Sequence, residues 1–173
     1  MNPEQRREDE PKEQIVHYTE ELKAGVAELF REWEEENKQG EPTGSANPDF
    51  DKLVGDYLVA IGENEKVVGT IGIEYCGNGI GYLKGLYVTK ELRREGLATK
   101  LMASIIEYAK AQNYRKLFSA TMQKNEKIHE FNEKNGFTRV ENPPPTHKDF
   151  RKGTVFFEMD LGEENWTEHV EEE

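Results

Sequence analysis

Apolar residues recur along this chain with two periods, and the switches between them mark out its elements. Near the start, "QIVHY" reads as a short strand. Behind Thr19, which stands where an N-cap belongs, Leu22, Val26, Leu29, Phe30 and Trp33 recur at helical spacing. "KQGEPTGSANP" reads as a loop, and "DFDKLVGD" leaves room for one more short helical piece. Two β-rich runs, "DYLVAIG" and "KVVGTIGIEYC", are separated by "ENE", which predicts a hairpin. The glycine-rich turn "CGNGIG" then leads to a third run, "YLKGLYV". From Leu97 the period changes to 3.6, with Leu97, Ala98, Leu101, Met102, Ile105, Ile106 and Ala109 on one face. "KLFSATM" predicts a strand and "NEKIHEFNEKN" a helix, with Gly136 in the place of a C-terminal cap. "FTRV" and "TVFFEMDL" close the pattern around the loop "ENPPPTHKDFRKG".

The resulting order is β-α-(α)-β-β-β-α-β-α-β-β, with no internal repeat and no linker that would split it. It implies one α/β domain of the α+β type, a mixed and mostly antiparallel sheet with helices on its faces. The domain is expected over residues 14–161. Residues 1–13, charged and proline-bearing without aromatics, are expected to be disordered, and 162–173 form an acidic tail. Phe30, Trp33, Phe118, Phe156 and Phe157 fall on periodic faces and are expected in the core.

Composition narrows the function classes. Hydrophobic residues make up 35% and charged residues 34% of the 173 residues, and no run has the apolar length of a membrane span. The first residues carry no apolar signal region, and a lone Cys76 cannot form an internal disulfide. A cytoplasmic protein without a membrane partner is expected. A net charge of −12 argues against general nucleic-acid binding. It suits a cationic small substrate, although many soluble proteins are simply acidic. An anionic ligand must then be met by a local basic cluster, and "KELRR" is the most obvious one. His17, His129, His147 and His169 show no metal-ligand spacing, so no metal is expected. Cys76 has no motif around it to support an acyl-cysteine.

The stretch "LYVTKELRREGLATKLM", residues 86–102, combines what a diphosphate needs. A strand ends in a turn, so the first amides of the next helix have no internal partner. Gly96 removes a Cβ and lets a ligand approach the backbone. The helix N-terminus is partly positive, and Lys90, Arg93, Arg94 and Lys100 add to it. An ordinary glycine-bearing helix start reads the same way from this stretch alone. There is no G-x-x-x-x-G-K-[ST], and "GNGIGYL" leads into a strand, so neither a P-loop nor a dinucleotide fingerprint is present.

The same stretch resembles the acetyl-CoA-binding motif of the GNAT N-acetyltransferase superfamily, R-x-x-G-x-[GA], read here at Arg93, Gly96 and Ala98. "NEKIHEFNEKNGF" is similar to that family's second signature, with Asn125, Gly136 and Phe137 in place. The resemblance covers roughly residues 14 to 161. It implies acetyl-CoA as co-substrate, and pyrophosphate binding by the amides of Arg94, Glu95, Gly96, Leu97, Ala98 and Thr99. It also implies a strand splayed from its neighbour by a bulge, with Leu86, Tyr87 and Val88 lining the pantetheine cleft. The Val88 amide would face the thioester oxygen. Asn125 would contact the pantetheine, or cap its helix, or both.

An alkylamine has a pKa near ~10.4, so freeing its lone pair at pH 7 costs about 4–5 kcal/mol. A base is therefore expected near the amine. Glu74 is the candidate, since it alternates opposite Ile71, Ile73 and Tyr75; a solvent-facing strand glutamate is the bland alternative. Tyr82 occupies the place on the next strand where many relatives carry a glutamate. Asn132 stands where many carry the tyrosine that protonates the departing thiolate, and an amide is no useful acid. With a thiol pKa of ~8.5, the unprotonated leaving group costs only about 2 kcal/mol at pH 7. His129 is the candidate substitute, with a surface or packing role as its alternative. Three readings follow: an N-acetyltransferase acting on a small-molecule or peptide amine in a ternary complex, a non-catalytic acyl-CoA-binding module, or an interaction protein on the same scaffold with an emptied cleft. A homodimer is compatible with each.

Overall fold

The computed structural model describes residues 13–38, 55–143, 150 and 152–162. Strand β1 (Gln14–His17) is followed by a 3-10 turn (Glu20–Leu22) and helix α1 (Lys23–Lys38). Strands β2 (Asp56–Ile61), β3 (Val67–Tyr75) and β4 (Ile80–Val88) come next, then helix α2 (Leu97–Ala111). Strand β5 (Lys116–Met122), helix α3 (Glu126–Lys134), β6 (Thr138–Val140) and β7 (Thr154–Asp160) complete the order. Among the described residues this matches the sequence pattern element for element. The possible helical piece in "DFDKLVGD" and most of the loop before β7 lie outside the described residues. Thr19 differs from expectation. Its side chain caps nothing, and its carbonyl instead accepts from the Leu22 amide at 2.9 Å, so the chain enters α1 through a tight turn.

The sheet runs β1-β2-β3-β4-β5-β7-β6, antiparallel throughout except for β4 and β5. Strands β3 and β4 are buried almost without a break, because helices cover both faces. On one face, Leu101, Met102 and Ile105 of α2 pack on Leu58, Ile71, Ile73 and Leu83. On the other, Val26, Leu29, Phe30 and Trp33 of α1 pack on Val59, Val67 and Tyr87. The aromatics expected in the core are all buried. Helix α3 ends as its glycine predicts: Gly136 takes φ +93, its amide bonds Glu133, and the Phe137 amide bonds Asn132.

Two irregularities position the site. The pairing of β3 with β4 slips between Thr70↔Tyr87 and Gly72↔Lys84, so Gly85 and Leu86 together oppose Ile71. Gly85 takes φ +67 there, and the Thr70 hydroxyl donates to its carbonyl at 2.7 Å. On the other edge of β4, pairing with β5 runs only from Ile80↔Lys116 to Leu83↔Ser119, whereas β5 continues to Met122 against β7. Beyond Leu83 the two strands part. Gly85→Ala is therefore expected to lower stability by about 1–2 kcal/mol, the cost of a Cβ in the left-handed region, read as a lower urea midpoint.

Candidate active site

Where β4 and β5 part, a cavity of about 800 Å³ opens between the end of β4, the start of α2 and the start of α3. Leu86, Tyr87 and Val88 form one wall, Arg93, Arg94, Gly96, Leu97, Ala98 and Thr99 the mouth, and Asn125 the opposite side. The structure thus brings together nearly all the residues that the two motifs single out. Glu95 belongs to the same turn, but its side chain does not line the cavity.

The mouth is a row of unclaimed donors. Helix α2 makes its first backbone bond from Lys100 to Gly96, at 3.1 Å. Among the described residues, the amides of residues 94–99 donate no hydrogen bond. Arg94 (φ +71) and Gly96 (φ +86) both adopt left-handed backbone, which turns the chain so that these amides precede the helix. A Cβ built on Gly96 meets nothing within 4 Å, so no protein atom fills that approach. Glycine is needed here for its backbone angle and for the clear path.

The edge of β4 offers a further donor. Thr89 donates to the Val68 carbonyl across β3, so by alternation the N–H and C=O of Val88 face the other way, into the cleft. Arg93 Nε takes the Val88 carbonyl at 3.1 Å. The N–H is left as the polar group on that edge.

Arg93 is committed elsewhere than its motif position suggests. Its guanidinium grips both oxygens of Glu36 on α1, at 2.6 and 2.8 Å, and lies over the Tyr87 ring. The Tyr87 hydroxyl also donates to Glu36, and the Tyr87 ring stacks on Trp33 at 5.0 Å. Burial alone would raise the Glu36 pKa, but the bonds from Arg93 and Tyr87 outweigh it and hold the carboxyl below its ordinary value. One turn earlier, Glu32 accepts from the Thr89 hydroxyl and the Lys90 amide. Part of the "KELRR" cluster is thus spent on holding α1 against the turn. Arg94, together with Lys124 and Lys127 beside Asn125, supplies cationic side chains at the cavity.

The other candidates are dispersed. Asn125 is buried at the start of α3 without capping the helix, and it lines the cavity. Asn132 lies seven residues on, hence on the same helical stripe two turns deeper. It is 2% exposed, and its Nδ2 has no partner among the described residues. His129 does not line the cavity; its Nε2 meets the Met122 carbonyl at 3.1 Å. Glu74 pairs with Lys84 at 2.9 Å and stands opposite Tyr82 on β4. Tyr82 stacks on Phe118, and burial, with the nearby Glu74 charge, pushes its phenol up to about 12.

The sequence reading missed Lys124, Lys127, Ile128 and Phe131 as cavity residues, and the roles of Glu32, Glu36 and Lys84. Two lysines flanking the helix-opening asparagine were a readable signal for an anion. Glu36 and Lys84 had none, because their partners lie far away along the chain or across strands.

Residues 22–137 match the model of the acetyltransferase (GNAT) family. Solved structures share the fold. An acetyltransferase of the GNAT family from Staphylococcus aureus is 22% identical, with a TM-score of 0.74 over 86% of this chain and 99% of its own. An acetyltransferase from Streptococcus agalactiae is 19% identical, with a TM-score of 0.73 over 88% and 100%. The PaiA N-acetyltransferase from Thermoplasma acidophilum, solved in complex with coenzyme A, is 15% identical, with a TM-score of 0.67 over 87% and 99%. No curated protein sequence matches the chain. Among the described residues no cluster of His, Cys, Asp or Glu could hold a metal ion, and no helix is long and apolar enough to cross a membrane.

The Glu36 clamp has a testable pH signature. Its folded pKa is depressed, so its stabilisation is present above the unfolded value and is lost as pH falls through the folded one. Near neutral pH, Glu36→Gln should cost about 1–3 kcal/mol. The gap between parent and variant should narrow as pH drops from about 6 to about 3, measured by urea unfolding at each pH.

Proposed function

The chain belongs to the acetyltransferase (GNAT) family, and from that premise we propose that it transfers the acetyl group of acetyl-CoA directly to a primary amine in a ternary complex. The observation that carries this reading is the row of unpartnered amides at residues 94–99, set at the mouth of the cavity where β4 and β5 part. Backbone N–H groups at a helix N-terminus suit a pyrophosphate, and the open approach at Gly96 suits its close contact with the chain. The donor set therefore fits acetyl-CoA, which supplies an activated acetyl thioester when bound.

In this reading the amides of Arg94, Glu95, Gly96, Leu97, Ala98 and Thr99 hold the pyrophosphate. Arg94, Lys124 and Lys127 add charge to that end. Leu86 and Tyr87 line the pantetheine path, and Asn125 offers its amide from the far wall. Arg93 serves as a positioning residue, tying the Val88 carbonyl and Glu36 together. The Val88 N–H is oriented to donate to the thioester oxygen, where negative charge grows during amine attack. Glu74 receives the amine's proton. Asn132 has no acidic proton to give and does not line the cavity, so water is left to assist the departing sulfur. That suffices where the thiolate costs only about 2 kcal/mol. His129 takes no part in this scheme, since its ring is held at Met122, and Tyr82 packs beside Glu74 as part of its surroundings. Asn132 also favours a second reading, a non-catalytic acyl-CoA-binding module, and amine-dependent release of CoA separates the two.

Acetyl-CoA at ~100 times its dissociation constant should add about 2.7 kcal/mol of stability, a rise in Tm of about 5–10 °C. Gly96→Asp should remain folded and lose that rise, because its side chain brings a second anion into the cradle. No rise in the parent at millimolar acetyl-CoA would overturn the reading. On an amine that turns over, Glu74→Gln should lower kcat by ~100-fold or more while the acetyl-CoA shift stays.

A further inference from the structure

Lys84 is the first residue of β4 beyond its last pairing with β5, so it stands where the sheet divides. It lies opposite Gly72, as Glu74 lies opposite Tyr82, and alternation along β3 places Gly72 and Glu74 on the same face as Thr70. That face is the one α1 covers, through Val59 and Tyr87, which pair with Thr70. The cavity read as the acetyl-CoA site opens instead beside α2 and α3. The Lys84–Glu74 pair therefore lies on the opposite face of the sheet from that cavity, at the point where β4 and β5 part.

The pair is partly buried, with side chains 13% and 28% exposed, and it is only half satisfied. Lys84 Nζ has three protons and spends one on Glu74 Oε2 at 2.9 Å. Among the described residues, neither the other two protons nor Glu74 Oε1 has a hydrogen-bond partner. Beside them stands a third unsatisfied group. Tyr57 is 4% exposed, and its hydroxyl has no partner among the described residues. Its ring lies across Gly72, with Cζ 2.6 Å from where a Cβ would sit, directly beside the strand that carries Lys84. Burial and then the Glu74 charge raise the Tyr57 pKa, which keeps that hydroxyl protonated as a donor. Tyr82, stacked on Phe118 and met edge-on by Phe150, adds an aromatic wall.

We infer that the acceptor is a zwitterionic amine, an α-amino acid with an apolar side chain or a close analogue, whose carboxylate meets Lys84 and Tyr57 and whose ammonium meets Glu74. This rests on the acetyltransferase reading of the same site. The zwitterion exchanges partners with the ion pair and leaves no charge uncompensated. A simple alkylamine would have to take Glu74 from Lys84 and leave a desolvated ammonium behind. A polycation would meet Lys84 as a like charge, so the overall charge of −12 does not decide the acceptor. In the transfer the ammonium gives one proton to Glu74, its nitrogen forms the new bond to the acetyl carbon, and as the carbon–sulfur bond breaks the nitrogen's second proton passes to the departing thiolate, so that CoA leaves as the thiol.

The test uses the full chain and the standard L-amino acids, with phenethylamine, isoamylamine, L-phenylalanine methyl ester and spermidine as controls. It reads CoA release from acetyl-CoA and, with CoA present, heats of binding. At least one apolar amino acid should bind and turn over ~10-fold or more better than its amine or ester. Lys84→Gln should shrink that preference to within ~3-fold while the thermal shift with acetyl-CoA is kept, and Lys84→Arg should retain the preference. Should Lys84→Gln fail to fold, the parent's discrimination against the ester decides. Equal or better use of spermidine or the plain amines, a preference untouched in Lys84→Gln, or no binding by any amino acid would each overturn the inference. With the acetyl-CoA shift intact, those results spare the acetyltransferase reading. Loss of the shift in the parent overturns that reading instead.

Discussion

Everything at this site depends on β4 being unable to keep two neighbours at once. Against β3 it carries an extra residue at Gly85–Leu86, which bends the strand and raises its twist. Against β5 its parallel ladder stops at Leu83, while β5 continues with β7. The freed edge of β4 carries backbone groups that the sheet no longer satisfies. A buried N–H without a partner costs about 1–3 kcal/mol, so a cleft lined by one is a standing invitation to a ligand that can accept a hydrogen bond. The same parting makes room for the cavity beside the starts of α2 and α3.

An opened sheet needs something to hold its loose end. That task falls to α1, whose Glu32 and Glu36 reach the turn after β4 across more than fifty residues of chain. Arg93 joins Glu36, the Val88 carbonyl and the Tyr87 ring in one node, with Trp33 stacked behind. Because Arg93 occupies the Val88 carbonyl, only the N–H remains at the cleft edge. The most recognisable cation of the motif is thus committed to holding the turn, and the cationic side chains left at the cavity are Arg94 and the two lysines on the far wall.

Much of this was legible in one sequence. The shift from alternation to a 3.6 period at Leu97 located α2, because an amphipathic face must repeat with the helix. Gly136 located the end of α3, because its αL cap tolerates few other residues. The β2–β3 hairpin and the strand "KLFSATM" followed from period and turn residues, and Arg93, Gly96 and Asn125 marked a cavity through their resemblance to the family's two motifs. These are local properties, each decided within a dozen residues. Thr19 failed as a side-chain cap because a 3-10 turn stands between it and the helix, closed by its own carbonyl.

What only the tertiary structure decided is every contact between charges distant in sequence. Nothing in "REWEEENK" says which glutamate grips Arg93, and nothing in "YLKGLYV" says that its lysine is paired and largely buried beside Glu74. The bulge was expected from resemblance, but its place at Gly85 came from the register of two strands. Periodicity reports which face of an element is apolar, since burial repeats with the backbone. It is silent on which polar groups meet across the core, because that depends on how the elements are set against one another in space.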